Sequence, residues 1–380
     1  MRILYAALRH DPRNPDLASG VDYNFHSAFL REGAEVRVVG PFPQHGWLLD
    51  RVLNRFYTSV CRRRYLKWNL QITRLSARAL NRAEREWEPD LVFGLFPPPL
   101  AFYRGKAPAV FNTDTTLEGW QEGGANFGLL PLKFLAWEER CAVRNCALTI
   151  TFSEYCKREL VRRHGIPERK VFIHPMPCAL PTHVVPKREE FQARKLSSPL
   201  KLLLVGRDYK RKGIPTAIET IKLLNQQGLP AELTICGLKG EPEGPVRFAG
   251  LFRKSVPEEL LRYVDLYRRS HFLIHPATFD PSPIVPAEAA AFGLPTISND
   301  VGGIATSVAH DRSGIVLPAQ SPASAYVGAI LRLVQTPAEY SRLSQGARHR
   351  YEQEQNWETA GKRIMNLLAE VTEADRFREN

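Results

Sequence analysis

Two acidic residues toward the end of the chain are spaced for joint action on one ligand. Asp280 and Glu288 are eight positions apart, and a Pro-Ser-Pro turn follows the first of them. Glu288 lies in a small-residue run, which predicts a tightly packed helix that begins near Ile284 and carries the carboxylate one turn in. A carboxylate so placed can accept two hydrogen bonds from a vicinal diol, such as the ribose 2′- and 3′-hydroxyls. Capping of the helix start by these carboxylates is the structural alternative.

Two cations follow a predicted buried strand earlier in the chain. The apolar run that ends at Val205 leads into Gly206 and Arg207, and Lys212 comes five residues after Arg207. Backbone N–H groups, a helix dipole and two cations can converge there on phosphate oxygens. A solvated loop is the alternative, because Lys210 and Arg211 add further charges nearby. Together with the carboxylates, the cations predict a site for a nucleotide diphosphate that carries a sugar.

The composition is ordinary for a globular protein, and it excludes several kinds of site. The chain has 380 residues, 44% of them hydrophobic and 24% charged, which predicts two or three domains. Six cysteines without a Cys-x-x-Cys motif favour a reducing cytoplasm. The ten histidines show no metal-ligand spacing, so we expect no metal and no cofactor. No apolar run is long enough to predict a membrane-spanning helix.

The elements that must position these side chains alternate along the chain. Short β-branched runs alternate with amphipathic stretches up to Pro181 and again after Pro199, which predicts two parallel sheets covered by helices on both faces. The intervening segment loses this periodicity and reads as an interdomain linker. Two doubly wound domains that face each other would form a ligand crevice at the carboxyl ends of their strands.

In combination, these motifs resemble the retaining glycosyltransferases of family 4, which have the GT-B fold. The resemblance covers nearly the whole chain. It rests on five segments: a Glu-x7-Glu-type motif (Asp280–Gly293), a Gly-Arg-x4-Lys-Gly phosphate motif (Gly206–Gly213), a Gly-Gly turn (Val301–Ile304), the start of the helix that closes the first domain (Ser153–Tyr155) and the aromatic start of the terminal helix (Asn356-Trp357).

The resemblance implies an α/β protein of the GT-B class, with two Rossmann-like doubly wound domains facing across a cleft and a C-terminal helix that crosses back. The expected divisions are a Rossmann-like acceptor domain (1–182), a linker (183–199), a Rossmann-like nucleotide-sugar domain (200–355) and a terminal helix packed on the first domain (356–380). It also implies catalytic roles for five residues: Arg207, Lys212, Asp280, Glu288 and Asp114. The donor contacts that it implies are Gly20, Gly206, Arg207, Lys212, Asp280, Ser282, Ile284, Val285 and Glu288.

The implied roles follow the family's motifs. Arg207 and Lys212 would neutralise the diphosphate, Glu288 would bind the ribose, and Asp280 with the amides after it would hold the donor sugar. Gly20 lies at the family's N-terminal glycine loop, near phosphate and acceptor. Asp114 aligns with a histidine that contacts the donor sugar in the family.

Three positions depart from the family pattern. Asp280 replaces the first glutamate and shortens its reach by one methylene. Ser282 and Pro283 replace an aromatic-Gly pair, so the sugar loop lacks one amide. Thr306 stands where many members carry a glutamate after the Gly-Gly turn. These departures leave the donor sugar open.

A basic segment, Arg51–Arg85, predicts a second surface. It contains ten Lys or Arg residues and one acidic residue, within a net charge of +12. Arginines recur along one helix face, an apolar face begins at Val52, and Trp47 and Trp68 are aromatic anchors, a pattern typical of helices on anionic membranes. A solvated helix face is the alternative, and no module for reading nucleic acid accompanies the charge.

The sequence therefore predicts a retaining glycosyltransferase that moves a hexose from a UDP- or GDP-sugar to a glycan, a lipid-linked or a small-molecule acceptor. It would act in the cytoplasm, at the inner face of the membrane if the basic segment binds there. In the family, a donor phosphate oxygen takes the acceptor's proton, so no strong protein base is expected. The alternatives are a non-catalytic nucleotide-sugar-binding subunit and an epimerase or phosphorylase on the same fold.

Overall fold

The alternation of apolar runs with amphipathic stretches builds strands and helices in the order that parallel sheets require. The computed structural model describes residues 1–42, 48–65 and 70–379. The chain divides into two units, Met1–His174 with Ala360–Asn380, and Pro175–Thr359. The boundary between them therefore precedes the expected position at residue 182.

The first unit contains a six-stranded parallel sheet in the order β2-β1-β3-β4-β5-β6. Strands β3, β4 and β5 are buried along their whole length, as expected of a sheet with both faces covered. In chain order the elements are β1 (Arg2–Ala6), α1 (Val21–Arg31), β2 (Glu35–Val39), α2 (Leu48–Ser59), α3 (Leu70–Trp87), β3 (Leu91–Gly94), α4 (Pro97–Ala101), β4 (Ala109–Thr113), α5 (Leu117–Glu122), α6 (Leu129–Asn145), β5 (Leu148–Thr151), α7 (Glu154–His164) and β6 (Val171–Ile173).

The second unit repeats this architecture, with the strand order β12-β11-β10-β7-β8-β9. Its elements are β7 (Leu200–Val205), α8 (Ile214–Gln226), β8 (Ala231–Cys236), β9 (Val246–Gly250), α9 (Pro257–Arg269), β10 (Phe272–His275), α10 (Val285–Ala291), β11 (Thr296–Asn299), α11 (Ile304–Ser307), β12 (Gly314–Leu317), α12 (Ala323–Gln335) and α13 (Pro337–Gln353). The prediction of two parallel sheets in an α/β fold is confirmed.

Successive residues of β7 show why both faces of the second sheet are apolar. Leu202 and Leu204 pack in one hydrophobic cluster, whereas Leu203 and Val205 pack in the other. Side chains alternate between the faces of a strand, so a continuous apolar run can supply a core on each side.

The segment expected to be a linker, 183–199, lies within the second unit. Its half-buried Arg194 donates hydrogen bonds to the carbonyls of Tyr267 and Phe292, at 2.6 and 3.0 Å. From α13, Arg348 donates to the carbonyl of Pro186 at 2.8 Å. Guanidinium groups thus satisfy carbonyls at the ends of α9 and α10 and fix an irregular segment that the lost periodicity could not place.

The last helix, α14 (Trp357–Glu379), begins in the second unit and contributes its residues from Ala360 onward to the first. Gly361 lies against α1: a Cβ at this position would be 3.0 Å from the Cβ of Ala28. The small residues allow the two helices to pack closely.

Candidate active site

The candidate site lies at the carboxyl ends of β7 and β10. From β7 the chain adds β8 and β9 on one side, and then returns to add β10, β11 and β12 on the other. The order of the strands therefore reverses between β7 and β10. In doubly wound sheets, ligands bind at such a switch point, beyond the carboxyl ends of the strands.

Backbone contacts hold together the two loops that leave this point. The amide of Thr278 donates to the carbonyl of Arg211 at 2.8 Å. Gly213, which caps α8, has a left-handed φ of 66°, and a Cβ there would lie 1.7 Å from the carbonyl oxygen of Pro276. Only glycine permits this approach, so the position fixes Lys212, its neighbour, beside the loop after β10.

Asp280 is surrounded by cations and hydrogen-bond donors. The Lys212 ammonium contacts its Oδ2, and His275 Nε2 lies 3.0 Å from the same oxygen. Arg211 Nη1 is 3.8 Å from Oδ1. Burial opposes ionisation of this carboxyl, but the Lys212 charge and the His275 hydrogen bond outweigh it and hold the pKa of Asp280 well below its usual range. Asp280 is therefore ionised at neutral pH and partly neutralises Lys212.

The Gly-Gly turn after β11 fixes the main chain of Asp280. The amide of Gly303 donates to the Asp280 carbonyl at 2.8 Å. Gly302 has a φ of 57°, and a Cβ on it would lie 2.5 Å from that carbonyl oxygen. The turn therefore requires glycine for its backbone conformation and for its contact with the loop after β10.

Glu288 on α10 is 1% exposed and already has three donors. Its Oε2 accepts hydrogen bonds from the hydroxyls of Tyr263 and Tyr267, at 2.6 and 2.7 Å. Its Oε1 contacts the ammonium of Lys254. Burial, followed by the Glu288 charge, raises the pKa of both tyrosines well above the ordinary value, so they remain protonated donors. The carboxylate thus sits in a buried cradle of three hydrogen-bond donors.

Arg207 differs from Lys212 in having no structural partner among the residues that the structure describes. Its side chain is exposed, and it forms no hydrogen bond or ion pair with any residue that the structure describes. Burial raises the pKa of the Cys236 thiol to about 12, an effect that Glu288 strengthens and that Lys254 and Arg207 oppose. All three charges therefore act at the carboxyl end of β8, with Arg207 left available to an anion.

The remaining predicted residues fall in both units. Gly206 follows β7, where its amide donates to the Cys236 carbonyl at 2.8 Å. Ser282 and Ile284 are half-buried in the loop before α10, and Val285 is the first residue of that helix. The structure thus brings together Gly206, Arg207, Lys212, Asp280, Ser282, Ile284, Val285 and Glu288 in the second unit.

Gly20 and Asp114 belong to the first unit. Gly20 has a left-handed φ of 79° and precedes α1, whereas Asp114 is exposed in the loop after β4. Between β1 and β3 the first sheet has its own switch point, and the buried Asp22 of α1 lies beside it. Burial raises the pKa of Asp22 to about 6; the Asp114 charge adds to this rise, against a hydrogen bond from Tyr5. Asp114 therefore acts electrostatically on Asp22.

Five residues outside the predicted set touch the two carboxylates: Arg211 and His275 at Asp280, and Lys254, Tyr263 and Tyr267 at Glu288. His275 is buried at the end of β10; its Nε2 bonds to Asp280, and its Nδ1 has no hydrogen-bond partner within the described part of the chain. The two tyrosines are four positions apart on α9, which places them on one helix face. That spacing could have indicated a pair of hydroxyls acting on one ligand, whereas Lys254 belongs to no such pattern in the sequence.

The arginines of the basic segment are solvent-exposed where the structure describes them. The arginine stripe on α3, namely Arg74, Arg78, Arg82 and Arg85, is exposed along its length. On α2, Leu53 and Tyr57 are half-buried, whereas Val52 and Phe56 are exposed. Trp47, Lys67 and Trp68 lie outside the described residues. The apolar face of α2 thus has a half-buried side, at Leu53 and Tyr57, and a solvent-exposed side, at Val52 and Phe56.

The described residues contain neither a metal-ligand group nor a membrane-spanning helix. Within ranges 1–42, 48–65 and 70–379, no group of three His, Cys, Asp or Glu residues is placed to hold a metal ion. No helix among the described elements combines the length and apolar character needed to cross a bilayer.

Two family models of glycosyltransferases match the chain, one in each half. Residues 186–350 match the family model for Glycosyl transferases group 1, and residues 23–177 match the model for Glycosyltransferase Family 4. A similar characterised protein is the amylovoran biosynthesis glycosyltransferase AmsK of Erwinia amylovora, 30% identical over 185 residues. That alignment covers 46% of this chain and 45% of AmsK, so the chain spans less than half of this relative.

Solved structures of glycosyltransferases share the fold across the whole chain. Sucrose-phosphate synthase from Thermosynechococcus elongatus superimposes with a TM-score of 0.68 at 17% identity, covering 98% of this chain and 99% of its own. The HepE protein of Anabaena in complex with UDP-glucose gives a TM-score of 0.63 at 15% identity, covering 97% of this chain and all of the other, 100%. The fold is therefore GT-B, and the family matches support a glycosyltransferase.

Proposed function

We propose that this protein is a retaining glycosyltransferase that transfers a hexose from a nucleotide-diphosphate sugar. The observation that carries the proposal is the cluster of Arg207, Lys212, Asp280 and Glu288 at the switch point of the second sheet. The matched glycosyltransferase models and the UDP-glucose bound by the structurally similar HepE support it. In the first unit, Gly20 remains a proposed donor contact, near phosphate and acceptor, and Asp114 a proposed catalytic residue at the donor sugar.

The two cations divide the work on the leaving diphosphate. Arg207 is exposed and unpaired among the described residues, so its planar fork can bind phosphate oxygens in a bidentate manner. Lys212 gives one of its three N–H donors to Asp280, and the other two remain for phosphate. Because the pairing with Asp280 orients the ammonium before the donor arrives, little reorganisation is needed as negative charge grows on the leaving group.

Retention follows if the acceptor attacks the face from which the diphosphate leaves. The acceptor hydroxyl oxygen forms the new bond to the anomeric carbon as the bond to the phosphate oxygen breaks. The hydroxyl proton passes to an oxygen of the departing diphosphate, which leaves as the protonated nucleotide product. Asp280 and the amides around Ser282, Ile284 and Val285 would hold the sugar through this step. NMR of the product's anomeric proton tests it, and an inverted product would refute the retaining assignment.

Donor identity is tested by a thermal-shift panel of UDP-, GDP-, ADP- and dTDP-sugars, because a ligand that binds the native state raises its stability. We expect UDP-sugars to give the largest shift and GDP-sugars the next. Labelled donor with a panel of glycan, glycolipid and small-molecule acceptors then tests transfer. Saturable binding without turnover would favour the non-catalytic subunit, and a changed sugar without acceptor would favour an epimerase.

We also propose that the basic segment Arg51–Arg85 contacts an anionic membrane surface, where a lipid-linked acceptor would reside. The chain after α2 pairs with the chain before α6: the Arg64 amide donates to the Asn126 carbonyl at 2.6 Å. This pairing sets α2 beside the start of α6. Large apolar side chains with exposures of 49% or more lie there: Val52 and Phe56 on α2, Val60 just after it, and Leu129 and Leu130 on α6. Arg51 and Arg55 flank that patch, as in helices that lie on anionic leaflets.

Vesicle co-sedimentation tests this surface. Wild-type protein should bind vesicles that contain phosphatidylglycerol and not pure phosphatidylcholine, because each cation near the surface adds about 1 kcal/mol. Phe56→Ser with Leu130→Ser should abolish binding, whereas Leu261→Ser, which alters an equally exposed leucine on α9, should not. Binding that survives the double substitution would refute the patch. The cytoplasmic location that we propose is supported by the cysteines, all six of which are free thiols.

A further inference from the structure

Glu288 has too little free hydrogen-bonding capacity for the ligand proposed for it. An ionised carboxylate offers about four lone-pair positions. Three donors already use them: Tyr263 and Tyr267 on Oε2, and Lys254 on Oε1. A ribose diol needs two acceptor positions on the same carboxylate, and about one remains. One of the three donors must therefore leave before both ribose hydroxyls can bind.

The tyrosines are fixed in place. Both are buried on α9, and their hydroxyls also contact each other at 2.8 Å. The Tyr267 ring stacks on Phe292, with 5.8 Å between centroids and 20° between planes. Moving either hydroxyl would disrupt a close-packed core and leave a buried polar group unsatisfied.

Lys254 has none of these restraints. It lies between β9 and α9, its side chain is 33% exposed, and its ammonium is 5.3 Å from the centroid of the Tyr263 ring. A lysine is a compact cation on a flexible stem, and its head returns readily to water. It is therefore the donor that a ligand can displace.

We propose that the Lys254 ammonium stands in for a ribose hydroxyl on Glu288 and leaves when the nucleotide binds. This inference rests on the proposed function, and it assigns Lys254 as a residue that sets sugar specificity in the nucleoside part of the site. In the ligand-free protein, Lys254 keeps the buried Glu288 charge compensated. A ribose, with two hydroxyls, exchanges for it. A 2′-deoxyribose has one hydroxyl, takes the free position and leaves Lys254 where it is.

Because a ribose must displace Lys254 and a 2′-deoxyribose need not, the exchange lowers the preference for ribose over deoxyribose below what Glu288 alone would give. Removing Lys254 should therefore raise that preference. Calorimetry measures the dissociation constants of UDP and 2′-deoxy-UDP (or of the GDP pair, if GDP stabilises the protein more). The ratio of the deoxy to the ribo constant should rise at least threefold in Lys254→Met. It should be unchanged in Lys222→Met, which removes another lysine paired with a glutamate, on α8 of the same unit. The ratio cancels any effect on the shared phosphates.

A second measurement needs no variant. Acetylation of the wild-type protein, quantified by mass spectrometry, should modify Lys254 faster with saturating UDP than with 2′-deoxy-UDP, while Lys222 is unaffected. A ratio that stays constant or falls in Lys254→Met, or Lys254 that reacts no faster with UDP, would overturn the exchange and leave the proposed glycosyltransferase standing. Wild-type protein that binds none of these diphosphates would overturn both.

Discussion

The switch points of the two sheets carry buried carboxyl groups in opposite electrostatic settings. At the first, Asp22 is 3% exposed, and burial with the Asp114 charge raises its pKa to about 6. At the second, Asp280 is 6% exposed, yet Lys212 and His275 hold its pKa well below the ordinary range. Burial is nearly equal, so the surrounding charges account for the difference.

The same fold therefore presents two chemically distinct edges. The second edge gathers cations and the ionised carboxylate of Asp280, which suits a diphosphate with its attached sugar. The first edge combines two carboxyls, Asp22 and Asp114, with the hydroxyl of Tyr5, and it would repel an anion but accept hydrogen bonds from neutral hydroxyls. Doubly wound domains fix where a ligand binds, and the side chains at that point fix which ligand it is.

Removing the charge of Asp280 should have the largest effect. Asp280→Asn leaves the Lys212 ammonium, only 11% exposed, without its countercharge, and breaking a buried pair costs about 3–5 kcal/mol. Since the folded-state pKa lies below the reference value of 3.8, this stability is present above pH 3.8 and is lost as the pH falls. Urea denaturation at pH 7 and below pH 4 should show a penalty that shrinks with acid. Equal stability of variant and wild type at pH 7 would refute the ion pair.

Removing the unpaired cation should abolish the anion site without affecting the fold. Arg207→Ala should lower the transfer rate by about 100- to 1,000-fold, as expected when a preorganised donor to the leaving group is lost. The unfolding temperature should stay the same, because Arg207 has no structural partner among the described residues. Arg247→Ala, an exposed arginine on β9, is the control and should retain activity. Full activity of the Arg207 variant would disprove its assignment.

Disturbing the backbone beneath Asp280 should give an intermediate effect. In Gly302→Ala the new Cβ would meet the Asp280 carbonyl oxygen at 2.5 Å, with φ at 57°. The strain should cost about 2–3 kcal/mol and displace Asp280 from Lys212. Gly244→Ala is the control, since it has a similar φ of 55° and open space around it. Calorimetry and donor affinity should both change more at Gly302 than at Gly244, and equal changes would contradict the role of the turn.

Neutralising Asp22 at the first edge should have the smallest effect, and it should raise the free energy of unfolding rather than lower it. The folded-state pKa of Asp22, about 6, exceeds the reference value of 3.8, so its ionisation destabilises the fold as the pH rises through that window. Asp22→Asn keeps an oxygen for the Tyr5 hydroxyl, and it should gain about 2 kcal/mol relative to wild type between pH 4 and pH 7. Denaturation over this pH range measures the gain. A difference that does not vary with pH would show that Asp22 titrates normally.

Much of the fold could be predicted because its signals are local. The apolar run at Leu202–Val205 identifies a buried strand, and the small residues around Glu288 identify a packed helix. Strand β9 carries no such signal, because Arg247 within it is exposed and the run is not continuously apolar. The residues 183–199 were read as a linker from their composition, whereas Arg194 fixes them within the second unit.

The sequence by itself determined the two parallel sheets and put cations and carboxylates at the ends of particular strands, since hydrophobic periodicity and motif spacing act over a few residues. Only the tertiary structure decided which charges meet. Lys212 and Asp280 are 68 positions apart, and Lys254 and Glu288 are 34 apart. Pairing and burial depend on elements distant in the chain, and together they set whether a buried carboxyl is ionised, as at Asp280, or holds its proton to near pH 6, as at Asp22.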